Sequence, residues 1–371
     1  MWRGAPRWMW LAVAIGALLT IFSAGVLVGL PAAVDHYTGD ITRKGGLGDA
    51  ADQGHSIDGP LNLLLIGTDE RPDAPDNIRA DSIIVVHVNA DHTKAYLASI
   101  PRDSLVDIPE FPDTRYPGGQ DKINAAFQFG FRSGGGKSKG MELLANTVSD
   151  LAGGMKFDGA AIINFEGLRG VVRALGGVRM CVDEKVTSIH VGWNTQTGEV
   201  GVPYYINDDG TPAGRRENMR PQVYWPGCHE FKDWQALDYA RQRDLLANND
   251  GDYGRQRHQQ QLIKAIMQKA TSGGVISSPT KISKVLGSLG DALTFYNNDV
   301  SITDWVFTLK GIKPDQLTMV KTNGGKFNAE VVNGIWYERL SDTSMDLLRA
   351  MNDDRMDDFV AANPTWVTPT T

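Results

Sequence analysis

An uninterrupted apolar stretch near the N-terminus fixes the compartment in which this chain can fold. From Trp8 to Val34 no charged residue occurs, which is longer than the roughly 20 residues a helix needs to cross a bilayer. Arg3 and Arg7 precede it, and the positive-inside bias then holds the N-terminus in the cytoplasm. Trp2, Trp8 and Trp10 suit the membrane interface. A cleaved signal peptide is the competing reading, but its apolar core would be about 7–15 residues, so the length favours an uncleaved anchor. Either way, everything after residue 34 is expected outside the cytoplasm, as the extracytoplasmic part of a single-pass protein of the cell membrane.

The composition of the exported part sets further limits. Residues 35–59 are rich in Gly and Asp and read as a flexible linker. A catalytic domain is expected over 60–362, with a frayed tail over 363–371. The net charge of −7 carries no basic footprint, so no nucleic-acid partner is expected. The 2 cysteines, Cys181 and Cys228, both follow the anchor. An even count in an oxidising compartment points to a disulfide rather than two buried thiols.

Three apolar runs, Leu61–Ile66, Ser82–Val88 and Lys94–Ile100, read as strands, with a turn at Ala90–His92 and Pro101 ending the third. Folded as an antiparallel meander, they bring Asp69, Arg71, Arg79, Asp81, Arg102 and Asp103 to one rim. On an extended chain Arg79 and Asp81 point the same way. Helices are expected over 123–131, 141–151, 166–175, 234–241 and 255–270, and strands over 160–163, 178–182 and 316–320. Residues 187–227 read as a long polar loop. Such alternation implies layered α/β or α+β structure.

A second cluster holds Arg241, Arg243, Asp252, Arg255, Arg257 and Gln259. Inside a helix Arg241 and Arg243 would diverge, so they converge only if the helix ends near Arg241. Any one of these arginines, taken alone, is a solvated residue or a weak surface pair. Several around one point suit a diphosphate, because a guanidinium fork matches phosphate oxygens. Aspartates beside them suit Mg²⁺, or alternatively Mn²⁺, with few protein ligands. That is the layout of phosphoryl transfer. There is no HExxH or GxSxG, and the 7 histidines are scattered, so a zinc site is not expected. The run Gly130–Ser138 (GFRSGGGKS) approximates a phosphate loop. Its first glycine is one residue too far away and it follows a helical pattern, so it reads as a surface loop.

At these residues the chain resembles the LytR-CpsA-Psr family of bacterial cell-envelope enzymes. The matching stretches are NLLLIGTDER (62–71), RADS (79–82), SIPRD (99–103), KINAA (122–126), LGGV (175–178), ALDYARQR (236–243) and GDYGRQRHQ (251–259). It departs from the family pattern at His258, where arginine is usual, and at Lys232–Trp234, which replaces the usual Asn-Gly. The resemblance implies a three-layer α/β/α sandwich around a mixed, largely antiparallel sheet, with an apolar tunnel for lipid. It implies transfer of a glycopolymer from a polyprenyl-pyrophosphate carrier to peptidoglycan through a phosphodiester. By motif, Asp69 and Asp81 become Mg²⁺ ligands. Arg79, Arg102, Arg241, Arg243 and Arg255 become the pyrophosphate clamp, supported by Gln259, and Arg79, Asp81 and Arg102 form the catalytic set. A donor carrying its own pyrophosphate also removes any need for ATP outside the membrane. No general base is assigned. A polyprenyl-pyrophosphate hydrolase, or a non-catalytic polymer-binding or regulatory protein of the envelope, remains as an alternative.

Overall fold

The computed structural model describes residues 42–43, 46–52, 57–70, 78–207, 210–275, 278–298, 300 and 302–368. The expected membrane anchor and Arg71 lie outside these residues. Among the described residues no helix is long and apolar enough to cross a membrane.

The three apolar runs form the meander that their alternation implies. Strand β1 (Thr42–Arg43) is short, and β2 (Leu61–Thr68), β3 (Ala80–Val88) and β4 (Ala95–Ile100) follow. A hairpin of β5 (Leu105–Ile108) and β6 (Gly119–Lys122) leads into helices α1 (Ile123–Phe131) and α2 (Gly136–Leu151). Next come β7 (Gly159–Asn164), α3 (Phe165–Ala174), β8 (Val178–Val182), β9 (Val186–Asn194), β10 (Val200–Gly201), β11 (Tyr204–Ile206), β12 (Pro212–Arg215), β13 (Met219–Tyr224) and β14 (Gly227–Phe231). The chain continues with α4 (Asp233–Arg241), α5 (Gly251–Ser272), α6 (Pro279–Gly287), β15 (Leu293–Tyr296), α7 (Ile302–Leu309) and β16 (Leu317–Lys321). It closes with β17 (Ala329–Val332), β18 (Ile335–Glu338), α8 (Asp342–Asn352) and α9 (Met356–Ala362).

The main sheet has 7 strands in the order β1-β15-β7-β2-β3-β4-β16. β2/β3, β3/β4 and β7/β15 pair antiparallel, whereas β1/β15, β2/β7 and β4/β16 pair parallel. The sheet is therefore evenly mixed rather than largely antiparallel, because β7 and β16 return to it through helical crossovers. Alternation along the strands feeds two cores. Leu64, Ile66, Ile83, Val85, Ala98 and Ile100 pack under α1, α2, α8 and α9. Leu61, Leu63, Ile84, Val86, Val88 and Leu97 face the other way, toward α5 and α7. The result is three layers, helix on sheet on helix.

Four expectations about the rest of the chain change. Leu47 and Ala50, within the expected linker, are buried in the core, and Ala51 bridges to Phe157, so residues 46–52 belong to the domain. At the other end, Val367 bridges to Val320 and the Thr368 amide donates to the Met319 carbonyl, which docks 363–368 instead of leaving them frayed. The expected 187–227 loop is an elaboration of β9, β10 and β13 with the β11–β12 hairpin. Its strands are broken by Gly, Asn and Pro, and all but β9 are short, so no period shows. The glycine-rich stretch after α1 is a close helical turn. A Cβ at Gly130 would lie 2.2 Å from the Lys139 carbonyl oxygen, and one at Gly135 would lie 2.1 Å from that of Gly130. These glycines serve the approach of α1 and α2. The expected disulfide forms between Cys181 on β8 and Cys228 on β14, which face each other in register.

Candidate active site

A bulge at the end of the meander places the first carboxylate. β2 and β3 pair Gly67 with Ser82 and then Thr68 with Ala80, so Asp81 is an extra residue on β3. Bulges re-aim side chains, and this one breaks the alternation that would turn Arg79 and Asp81 the same way. Arg79 is exposed, and its Nε donates to Gln128 Oε1 on α1 at 3.2 Å. Asp81 Oδ1 instead accepts from Arg102 Nη1 at 2.6 Å. Asp69 lies one residue beyond the end of β2, half-buried.

Arg102 follows the proline that stops β4, and Arg255 comes from the start of α5. Arg255 Nη2 donates to the Asp81 carbonyl oxygen at 3.0 Å and pairs with Asp252 Oδ1 at 2.5 Å. Arg102 Nε lies 3.6 Å from Asp103 Oδ2, and Lys122 Nζ lies 2.8 Å from Asp103 Oδ1. Burial opposes the charge on Arg102, but Asp81, Asp252 and Asp103 outweigh it and hold its pKa above the usual arginine value. Arg255 is more deeply buried. Desolvation, with Arg102 and Arg243 nearby, pushes its pKa below the usual value against the pull of Asp252 and Asp81. Burial would raise Asp103, yet Lys122, Arg102 and Arg255 keep it below the usual carboxylate range. The buried Nε of Arg255 has no hydrogen-bond partner among the described residues. A buried, unsatisfied guanidinium N–H is well matched to an incoming anion.

The second cluster meets the first because α4 ends where convergence requires. Its last residue is Arg241, and Gln242 is extended, so Arg243 is released from the helical spacing. Burial first, then the charges of Arg241 and Arg243, push the His190 imidazole down to about 4. The Arg241 guanidinium also lies 4.2 Å from the centre of the Phe165 ring. From α5, Gln259 Oε1 accepts from Ser82 Oγ at 2.8 Å. Asp81, Arg102, Arg241, Arg243, Arg255 and Gln259 thus gather around the ends of β3 and β4 and the start of α5, with Arg79 at the margin.

An apolar cavity of about 300 Å³ opens beside this cluster. Leu65, Ile84, Ala161 and Ile163 of the sheet form its floor, and Leu168, Leu237, Leu262 and Ile266 of α3, α4 and α5 cover it. Asp81, Ser82, Arg241 and Gln259 also line it. An apolar cavity therefore shares Asp81, Arg241 and Gln259 with the arginine cluster.

The structure divides the arginines of the second cluster on α5. Arg257, two residues after Arg255, is a structural group: its Nε lies 2.6 Å from Asp183 Oδ2, and it also pairs with Glu184 and Asp250. His258, the departure from the family pattern, is wholly buried, with its ring 4.2 Å from that of Tyr239 and Nε2 3.6 Å from Glu184. Asp252 and Lys122 act through their pairing with Arg255 and Asp103, which sequence spacing does not reveal.

Comparison with known proteins agrees with this architecture. The chain is 29% identical over 282 residues to the polyisoprenyl-teichoic acid–peptidoglycan teichoic acid transferase TagU of Oceanobacillus iheyensis, covering 76% of this chain and 72% of that protein. The solved structure of gbs0355 from Streptococcus agalactiae superposes with a TM-score of 0.57 at 23% identity, over 81% of this chain and 88% of that one. TagT bound to LI-WTA superposes with a TM-score of 0.54 at 20% identity, over 85% and 99%. At those identities the structural likeness concerns the fold. The sequence profile of the LytR_cpsA_psr family matches residues 35–353, and the chain belongs to that family.

Proposed function

We propose that this protein transfers a glycopolymer from a polyprenyl-pyrophosphate carrier to peptidoglycan, outside the membrane, through a phosphodiester. The observation that carries the reading is the shared wall between the apolar cavity and the arginine cluster. A polyprenyl chain in the cavity brings its diphosphate to Arg102, Arg241, Arg243 and Arg255. TagU of O. iheyensis is named as a transferase of this kind, which supports the same class of donor and acceptor.

In this reading an acceptor hydroxyl oxygen attacks the sugar-side phosphorus. A new O–P bond forms, the bond to the bridging oxygen breaks, and polyprenyl monophosphate leaves with that bond's electron pair. The hydroxyl proton passes to a base. Arg102 and Arg255 hold the phosphoryl oxygens, and fixed charges of this kind stabilise the charge that develops in the transition state. Asp69 and Asp81 are hard oxygen donors at the adjoining ends of β2 and β3, and Arg102 engages one oxygen of Asp81. This donor set fits Mg²⁺. When bound, Mg²⁺ would neutralise charge on the diphosphate.

The test supplies the full-length protein in detergent with a polyprenyl-pyrophosphate-linked sugar, Mg²⁺ and a peptidoglycan oligomer. A Mg²⁺-dependent phosphodiester adduct supports the transferase. Polyprenyl phosphate released without adduct identifies a hydrolase, and bound lipid with neither product identifies a binding protein.

A further inference from the structure

A second cleft, of about 260 Å³, adjoins the arginine cluster. Pro101, Asp103, Lys122 and Asp252 line its charged side, and Phe327, Trp336 and Tyr337 its aromatic side. The two arginines form the partition between this cleft and the apolar cavity. Arg102 reaches Asp81 in the cavity wall and Asp103 in the cleft wall. Arg255 likewise touches Asp81 and Asp252.

The β17–β18 hairpin that carries the aromatic wall is held firmly beside the cluster. The Glu338 amide donates to the Asp103 carbonyl at 2.9 Å, and Tyr253 Oη donates to Glu338 Oε1 at 2.7 Å. Phe327 packs edge-on to Tyr253 with ring centres 5.3 Å apart. Despite this anchoring, Trp336 is 64% and Phe327 57% exposed. Large exposed rings rimmed by charged and hydrogen-bonding groups mark a binding groove rather than core. Rings beside carboxylates and an ammonium group offer a flat apolar surface for the C–H face of a sugar and partners for its hydroxyls.

In-line phosphoryl transfer places the attacking and leaving oxygens on opposite sides of phosphorus. If polyprenyl phosphate leaves toward the apolar cavity, the attacking hydroxyl arrives from beyond the arginine partition, where the second cleft lies. We propose that this cleft is a saccharide subsite that holds the acceptor glycan strand against Trp336, and this assignment rests on the transferase reading above. Its ligand is a hexosamine polymer whose hydroxyls and amides meet Asp252 and the Lys122–Asp103 pair.

The experiment titrates the full-length protein with a peptide-free oligosaccharide of alternating N-acetylglucosamine and N-acetylmuramic acid, by calorimetry. The same titration is run on Trp336→Ala and Trp336→Phe, with donor-lipid binding measured in parallel. The expected result is glycan binding that weakens about tenfold in Trp336→Ala and is largely restored in Trp336→Phe, with donor affinity as in wild type. Wild-type glycan affinity in Trp336→Ala, or weakened donor binding in place of weakened glycan binding, overturns the assignment. A wild-type protein that forms the phosphodiester but shows no glycan binding at this cleft also overturns it while leaving the transferase intact. Trp336-dependent glycan binding without any adduct supports the subsite and counts against the transferase.

Discussion

Arg102 Nη1 donates to Asp81 Oδ1 at 2.6 Å across the ends of two neighbouring strands, and neither residue would be placed there by strand alternation alone. The bulge turns Asp81, Pro101 stops β4 just before Arg102, and Arg255 closes the group from α5 by bonding to the Asp81 carbonyl. This arrangement makes Asp81 an organiser of two arginines as well as a candidate metal ligand. Asp81→Asn should lower transferase turnover by at least about a hundredfold, as removal of a charge-stabilising group does, while donor binding falls much less. A binding protein would retain its function in this variant. Steady-state kinetics with separate donor titration checks the prediction.

The apolar cavity gives a second, independent handle. Leu168→Trp on α3 adds bulk to its lining without touching the arginine cluster. The donor KM should rise about tenfold or more for a long polyprenyl chain and much less for a short-chain analogue. Overpacking costs typically about 1–3 kcal/mol, so thermal unfolding measured alongside separates loss of fold from loss of lipid space.

Arg257 and Arg255 should respond in opposite ways. Arg257 is buried among Asp183, Glu184 and Asp250, and its removal strands those carboxylates. Arg257→Ala should destabilise the fold by about 3–5 kcal/mol. Arg255→Ala should cost activity in excess of stability. Urea denaturation of both variants, set beside their turnover, checks the contrast.

The disulfide links two adjacent strands over a separation of 47 residues. Replacing Cys181 and Cys228 together by Ser should cost about 2–4 kcal/mol of stability. The reduced wild-type protein should match the double variant in chemical denaturation.

Asp158 supplies a pH signature outside the site. Burial pushes its carboxyl up to about 7, against the hydrogen bond from the Asn62 amide at 2.7 Å. The folded state therefore holds a proton that the unfolded state releases near pH 4. The contribution is full below that pH and is lost as pH rises toward 7. Asp158→Asn should flatten this slope, so that wild-type stability falls relative to the variant between pH 4 and 7.

The meander and its charged rim were legible because Leu61–Ile66, Ser82–Val88 and Lys94–Ile100 each carry a plain strand signal and Pro101 marks an end. The convergence of Arg241 and Arg243 was legible as a condition, that α4 stop at Arg241, and the helix meets it. The bulge at Asp81 was not, since an extra residue leaves no mark on the hydrophobic pattern. Arg255 and Arg257 look alike in sequence, and only the packing of α5 distinguishes an arginine at the cluster from one locked among three carboxylates. The docking of Leu47 and Val367 was hidden for a related reason: single apolar residues in polar stretches have no period to reveal them.

The most direct test of the central claim measures both products of one reaction, polyprenyl monophosphate and the glycan phosphodiester, in the wild-type protein and in Arg102→Ala. The account predicts that the two products appear in equal amounts with Mg²⁺ and that both are lost in Arg102→Ala. Monophosphate released without the phosphodiester, or adduct formed undiminished by Arg102→Ala, would contradict it.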